Sequence, residues 1–124
     1  MGYQRIDPSS VEPTPDRPCL QRAIGDAADL ERMAVNVYEA DPGEQIPLAY
    51  HYHDQQEELF YVIDGRLHVE TPEQEYRIDA GELFVVEPES PQRAHNPGDA
   101  DSPVRVLAVG APPVDDAHAH EPER

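Results

Sequence analysis

The chain has 124 residues, which is enough for one domain with one hydrophobic core. It carries 26 acidic residues against 9 basic residues, all of them Arg, and its formal net charge is −17. Because a negative field of this size repels phosphate groups, we expect neither nucleic acids nor anionic membranes as partners.

The acidic surplus also bears on the environment of the protein. High charge is common in disordered chains, but the alternating apolar residues in the middle of this sequence favour a folded protein. In concentrated salt the Debye length falls to about 3 Å near 1 M, so the self-repulsion of an acidic surface is screened. We interpret the composition as adaptation to high salt, with an acidic protein from an ordinary environment as the alternative.

Cys19 is the single cysteine, so an intrachain disulfide and a thiolate zinc cluster are excluded. The first residues lack the apolar run of a signal peptide, and no stretch approaches the roughly 18 apolar residues of a membrane span. These features predict a cytoplasmic protein.

Residues 1–19 form a proline-rich segment that contains Pro8, Pro13, Pro15 and Pro18. Proline at this density excludes a helix and a central strand. The segment is therefore predicted to be an arm, which is either mobile or lies extended along a neighbour.

Short apolar and alternating segments follow, separated by turn residues such as Gly65 and Gly81. The predicted strands are residues 20–24, 32–40, the segment of His51 and His53, the segment that begins at Glu58, residues 66–70, 76–78, 83–86, 92–96 and 104–109. None of these segments has helical periodicity. The pattern predicts an all-β sandwich or small barrel over residues 20–111, and the acidic residues 112–124 predict a tail.

Two histidines stand in the middle of this pattern. His51 and His53 are two residues apart, so an extended strand projects both imidazoles from one face. After a short polar segment, Glu58 begins the next strand, and a short turn would bring the three side chains together as a 2-His-1-carboxylate metal site. The alternative is an ordinary polar strand face. His118 and His120 repeat the spacing in the predicted tail, so the pair alone is a weak signal.

The whole segment resembles the first motif of the cupin family, which is a Gly, a spacer, His-x-His, a closely following Glu and a later Gly. Here Gly43, His51, His53, Glu58 and Gly65 lie in that order. The spacer after Gly43 has seven residues, which is longer than is usual in the family.

A second cupin motif is matched less completely. Gly81, Pro88 and Asn96 resemble its positions, and counting back four residues from Asn96 places Gln92 where the family has its third metal-binding histidine. An amide oxygen can bind a metal, although it is a poorer ligand than imidazole. Alternatively, Gln92 points into the barrel and hydrogen-bonds a ligand or a metal-bound water.

Two further histidines are given structural interpretations. His95 could replace Gln92 as a ligand only through a bulge, because a residue three positions further along a strand faces the other way. His68 shares its strand face with Arg66 and Glu70, and we expect it to be solvated.

The resemblance implies a double-stranded β-helix, or jelly-roll barrel, with one divalent metal ion on His51, His53, Glu58 and Gln92. Fe, Mn, Ni, Zn and Cu all suit these ligands. It also implies a metal-dependent oxygenase or isomerase that acts on a small organic substrate, with a non-catalytic module that binds a small ligand as the alternative. No catalytic residue is assigned.

Two further expectations concern the surroundings of the metal and the assembly. We expect an apolar pocket lined by Phe60, Val62 and either Leu83 or Phe84. The edge strands of a small barrel need covering, the proline-rich arm could reach a partner, and related cupins commonly dimerise. A homodimer is therefore predicted.

Overall fold

The structure is a computed structural model that describes residues 2–121. The elements within that range are a 3-10 turn at Pro8–Ser10, β1 (Leu20–Ala23), α1 (Ile24–Ala27), β2 (Ala34–Ala40), β3 (His51–His53), β4 (Glu57–Asp64), β5 (Arg66–Glu70), β6 (Glu75–Asp79), β7 (Leu83–Val86), β8 (Arg93–His95), β9 (Val104–Ala111) and β10 (Ala117–Ala119). Strands dominate, as the alternating pattern predicted.

The strands form three antiparallel sheets. A five-stranded sheet has the order β1-β2-β9-β4-β7, and a three-stranded sheet has the order β6-β5-β8. A third, two-stranded sheet joins β10 to β3. This arrangement confirms the all-β prediction and places the histidine strand outside the two larger sheets.

The core lies between the five-stranded and three-stranded sheets. On β9, Val104, Val106 and Ala108 are at most 4% exposed, and on β5 Leu67 and Val69 are completely buried. These side chains belong to one hydrophobic cluster. Full burial of a Val or Leu side chain contributes about 1.5–3 kcal/mol, so the alternation along each strand is what stabilises the fold.

Gly65 forms the tight reversal between β4 and β5. Its φ is +80°, and a Cβ atom built there would clash with the carbonyl oxygen of Pro103. Both the left-handed backbone and the close approach require glycine.

The proline-rich arm is not free of the barrel. Pro13 forms an isolated bridge with Arg22 of β1, and the backbone N–H of Thr14 donates to the carbonyl of Gln21 at 2.8 Å. Cys19 is 5% exposed and belongs to the core. Residues 13–14 of the arm therefore lie along β1 of the same chain, and Met1 lies outside the described residues.

The predicted tail contains a strand that the sequence analysis missed. Ala117 pairs with His53 and Ala119 with His51, so β10 covers the edge of the histidine strand. The prolines at positions 112 and 113 concealed this strand, and β3 supplies the backbone partners that stabilise it. Residues 122–124 of the predicted tail lie outside the described residues.

No helix in residues 2–121 has the length and the apolar character needed to cross a membrane.

Candidate metal centre

β3 holds the two histidines against the strand segment that carries Gln92. The backbone N–H of His51 donates to the backbone carbonyl of Gln92 at 3.2 Å, and the backbone N–H of Gln92 donates to the backbone carbonyl of His51 at 2.8 Å. The His51 and His53 rings meet edge to face, with their centroids 4.9 Å apart. The two imidazoles therefore lie side by side, as the spacing of two residues predicted.

Glu58 enters the same pocket from the start of β4. Its Oε1 atom lies 3.8 Å from Nε2 of His53. One ligand atom from each of His51, His53 and Glu58 can be chosen so that all three lie within 4.8 Å of one another. The three side chains could hold a metal ion.

Hydrogen bonds fix which nitrogen of each histidine is free. Nδ1 of His51 lies 3.0 Å from the carbonyl oxygen of Ala49, and Nδ1 of His53 lies 2.9 Å from Oδ1 of Asp116. Because a carbonyl and an ionised carboxylate can only accept, each Nδ1 carries the proton. Both Nε2 atoms then keep a lone pair for a metal ion.

Asp116 directly precedes β10 and holds the His53 ring in this orientation. Its Oδ2 accepts the backbone N–H groups of Gln55 at 2.6 Å and Gln56 at 3.1 Å. Desolvation alone would raise the pKa of Asp116, but these bonds and the one from His53 outweigh it and lower the pKa to about 2. The carboxylate is thus ionised at neutral pH, and it orients His53 as carboxylates commonly orient metal-binding histidines.

Burial shifts the pKa values of His51 and Glu58 in opposite directions. Desolvation lowers the pKa of His51, which keeps the imidazole in its neutral, metal-binding form. Desolvation raises the pKa of Glu58, although the neighbouring His53 opposes this shift. A buried carboxylate of this kind is stabilised by a nearby cation, so the pocket suits a positive ion.

Gln92 lines the pocket, next to His51, His53 and Glu58. The residue is 2% exposed, and its Nε2 lies 3.5 Å from Oε1 of Glu58, which makes a weak hydrogen bond. Its Oε1 is buried and has no hydrogen-bond partner among the described residues. A buried oxygen without a partner is unfavourable, and a metal ion or a donor group of a ligand would satisfy it.

His68 and His95 lie on the outer face of the three-stranded sheet, together with Glu75. His68 Nδ1 is 3.0 Å and His95 Nε2 is 3.5 Å from Oε1 of Glu75. His95 therefore faces away from Gln92 and is not part of the pocket. The expectation that His68 is solvated is wrong, because its side chain is only 15% exposed and packs against the His95 ring.

The cavity above these ligands, called the metal pocket below, has a volume of about 320 Å³. Its apolar lining includes Ala34, Ile46, Leu48, Phe60 and Ala108. Of the four lining candidates, Phe60 is placed correctly. Val62, Leu83 and Phe84 do not line the pocket, which opens towards β3 and β10. Val62 is a core residue, Leu83 is 60% exposed, and Phe84 packs against the core.

β10 forms one wall of the metal pocket. Ala117, His118 and Ala119 all line it. The His118 ring stacks on Tyr52 at 5.2 Å, and its Nε2 lies 2.7 Å from Oδ2 of Asp54. Tyr52 and Asp54 thus hold the His118 ring in the wall of the metal pocket.

Sequence reasoning missed Asp116, which holds His53, and two residues that line the pocket, His118 and Arg17. Arg17 and His118 come from the segments predicted as arm and tail. The alternation in residues 117–120 was the one available sign that the second segment forms a strand.

Comparisons with known proteins agree with this fold. The sequence profile described as "Cupin domain" matches residues 36–110. No curated protein matches the chain.

Solved structures with the same fold come from several bacteria. One is a candidate sugar phosphate isomerase from Acidithiobacillus ferrooxidans (TM-score 0.70, 23% identity), and the match covers 80% of this chain but 62% of that protein. Another is a sugar phosphate isomerase, described as from a cupin superfamily, from Silicibacter pomeroyi (TM-score 0.75, 24% identity). The match covers 87% of this chain and 75% of that one. A third is the polyketide cyclase RemF from Streptomyces resistomycificus (TM-score 0.79, 15% identity, 98% and 88%).

At these identities the solved structures establish the fold alone, while the profile match covers more than half of the sequence. The chain belongs to the cupin family and folds as a double-stranded β-helix.

Proposed function

We propose that this cupin binds one divalent metal ion through His51, His53 and Glu58 and uses it in an enzymatic reaction on a small organic molecule. The observation that carries the proposal is the convergence of the three ligand atoms within 4.8 Å in a pocket large enough for a ligand. Three protein ligands leave coordination positions open, which is typical of a catalytic site rather than a structural one.

Gln92 is proposed as a fourth, weaker ligand. Its unpaired amide oxygen is buried beside Glu58, where a bound ion would satisfy it. The donor set of two imidazoles, a carboxylate and an amide suits Fe, Mn, Ni, Zn or Cu.

The reaction proposed is that of a metal-dependent oxygenase or isomerase. When bound, the metal ion would act as a Lewis acid or a template for the substrate. The chain itself contributes Asp116 and the Ala49 carbonyl, which orient the imidazoles, and the apolar lining, which excludes water. The names of the two sugar phosphate isomerases support isomerase chemistry, and a 2-His-1-carboxylate set equally suits oxygen chemistry.

Metal analysis of the purified full-length protein, without a polyhistidine tag, tests this proposal. We expect up to one divalent ion per chain, and we expect Glu58→Gln to lower the metal content because a neutral amide replaces the anionic ligand. Oxygen uptake and isomerisation assays on small phenols, keto acids and sugar derivatives then follow. Wild-type protein that stays metal-free after incubation with each of the five ions would overturn the proposal.

The second candidate function is a small-ligand-binding module without catalysis. The observation that favours it is that Gln92 stands at the position of the family's third histidine, which weakens the site as a catalyst. Ligand binding without turnover in the metal-loaded protein would favour this function.

We also propose a homodimer through the outer face of β4 and β7. Tyr61 pairs with Leu83 and Leu59 with Val85, and β7 is an edge strand. Leu83 is 60% and Val85 is 65% exposed, which is unusual in a chain with a net charge of −17. An isologous contact would bury this patch against itself. Light scattering should give a dimer for the wild type and a monomer for Val85→Glu, and a wild-type monomer at tens of micromolar would contradict it.

A further inference from the structure

Arg17 brings a positive charge to the wall of the metal pocket. It is the one Arg among the residues that line the pocket, and the sequence contains no Lys. The arm that carries it is fixed by the Thr14–Gln21 hydrogen bond and by Cys19 in the core. The guanidinium is therefore directed inwards by an anchored segment.

The contacts of Arg17 hold its guanidinium in place but leave most of its donors unused. Nη2 donates to the carbonyl of Ile46 at 2.9 Å, and Cζ lies 6.0 Å from the centroid of the Tyr38 ring. Nε is buried and has no hydrogen-bond partner among residues 2–121. Within the same residues, Arg17 forms no salt bridge. A half-buried cation without an anion is unfavourable, so the pocket is suited to receive one.

Arg17 lines the same pocket as His51, His53 and Glu58. The positive charges of a divalent ion and of Arg17 together exceed the single negative charge of Glu58. The pocket is thus positive inside a chain with a net charge of −17, and it favours an anionic ligand.

The surroundings of Arg17 favour one planar anion over a tetrahedral one. Guanidinium presents a flat fork that matches the two oxygens of a carboxylate. The neighbouring lining residues Ile46, Pro47 and Leu48 have apolar side chains, which supply no donors for the further oxygens of a phosphate. The volume of about 320 Å³ limits the ligand to a small molecule.

We propose that Arg17 binds the carboxylate of a small organic acid whose other end reaches the metal centre. The proposal gives the substrate class for the metal site proposed above. It depends on that proposed function only in placing the other end of the ligand at a metal ion. Arg17 thereby determines specificity and does not act on the reacting atoms.

Isothermal titration of the metal-loaded full chain with benzoate tests the proposal, at low and constant chloride because chloride competes for an anion site. Arg17→Gln should weaken benzoate binding by at least about tenfold, since hydrogen bonds between charged groups are lost. Arg17→Lys should fall in between, because the charge remains and the fork does not. Benzamide should bind equally to wild type and Arg17→Gln, and inorganic phosphate should bind more weakly than benzoate.

Arg105→Gln is the matched control, because Arg105 is exposed on β9 outside the pocket. Unchanged melting temperature and metal content in Arg17→Gln would show that the loss is local. The His51→Ala/His53→Ala variant separates the two proposals: benzoate binding that depends on Arg17 but survives in this variant supports the anion site even if no metal binds. Equal benzoate affinity in wild type and Arg17→Gln, loss only in the histidine variant, or no benzoate binding to the wild type would overturn the proposal.

Discussion

Residues 2–121 contain two clusters of two histidines and one glutamate, and the clusters differ in what the imidazoles bind. In the metal pocket, His51 and His53 use Nδ1 for a carbonyl and a carboxylate and keep both Nε2 atoms free. In the outer cluster, Glu75 itself contacts Nδ1 of His68 and Nε2 of His95. Among residues 2–121, His51, His53 and Glu58 form the one such group whose ligand atoms all lie within 4.8 Å of one another.

This difference shows that two clusters of the same residue types can differ in whether they could hold a metal ion. The inner histidines have acceptors behind them that fix the tautomer, and the inner glutamate has no strong donor of its own. The outer glutamate is 48% exposed and already pairs with both rings, so solvent and the imidazoles satisfy it. The predictions on Asp116 and Gln92 each change one feature of the inner cluster that the outer cluster lacks.

The largest effect is expected from Asp116, the carboxylate behind His53. Asp116→Ala should weaken metal binding by about tenfold to a hundredfold, because His53 loses the acceptor that fixes its ring. Asp116→Asn keeps an acceptor for the backbone of residues 55–56 and separates loss of ligand orientation from loss of folding. Competition with a chelator gives the affinities, and Glu75→Ala in the outer cluster is the control. Identical affinities in all three variants and the wild type would show that Asp116 has no part in the site.

A smaller effect is expected at Gln92. Gln92→His should strengthen metal binding by at least about tenfold, because imidazole is a better ligand than an amide oxygen. Gln92→Ala should cost less than the loss of either histidine, since water can replace the amide. If Gln92 contacts only a small molecule, Gln92→His leaves metal affinity unchanged and alters ligand binding. His95→Ala should release no metal, and metal loss in that variant would contradict the placement of His95.

Metal should be released on acidification, because the ligands become protonated. Metal binding needs neutral imidazoles and an ionised carboxylate. Because burial lowers the pKa of His51 from 6.5, this ligand takes up its proton only below pH 6.5. Because burial raises the pKa of Glu58 from 4.5, this ligand is protonated already above pH 4.5. Metal affinity should therefore already fall above pH 4.5 on acidification, as Glu58 takes up its proton, and full affinity retained at pH 4 would contradict the assignment of Glu58.

The smallest effect concerns the whole surface rather than either cluster. With a net charge of −17, self-repulsion is strongest in dilute buffer, so the melting temperature should rise by a few degrees between about 0.1 M and 2 M chloride. A neutral osmolyte such as sucrose serves as the control for general strengthening of apolar burial. A melting temperature that is flat or falls with chloride would contradict the interpretation as salt adaptation.

The parts of the site that are local in sequence could be predicted. His51 and His53 share a face because strand residues two apart always do, and Glu58 follows after one short turn. The alternation within each strand likewise predicted the all-β fold and its core. Gln92 could be located by counting from Asn96, whose buried amide donates to the carbonyls of Ala40 and Ser102.

The remaining parts depend on contacts between distant segments. Asp116 and His53 are separated by 63 positions, and the pairing of β10 with β3 brings them together. Arg17 reaches the pocket because the arm is bonded to β1, which no local pattern indicates. Proline-rich segments were interpreted as irregular, and the structure shows that irregular segments can still be anchored and can line a site.

The most direct test of the central claim compares one double variant from each cluster. Metal content should be measured for His51→Ala/His53→Ala and for His68→Ala/His95→Ala after identical purification and loading with the same divalent ion. Each variant removes two imidazoles beside a glutamate, so the change in composition is the same. The account predicts loss of the bound ion from the first variant and wild-type content in the second. Full metal content in the first variant, or loss of metal from the second alone, would contradict it.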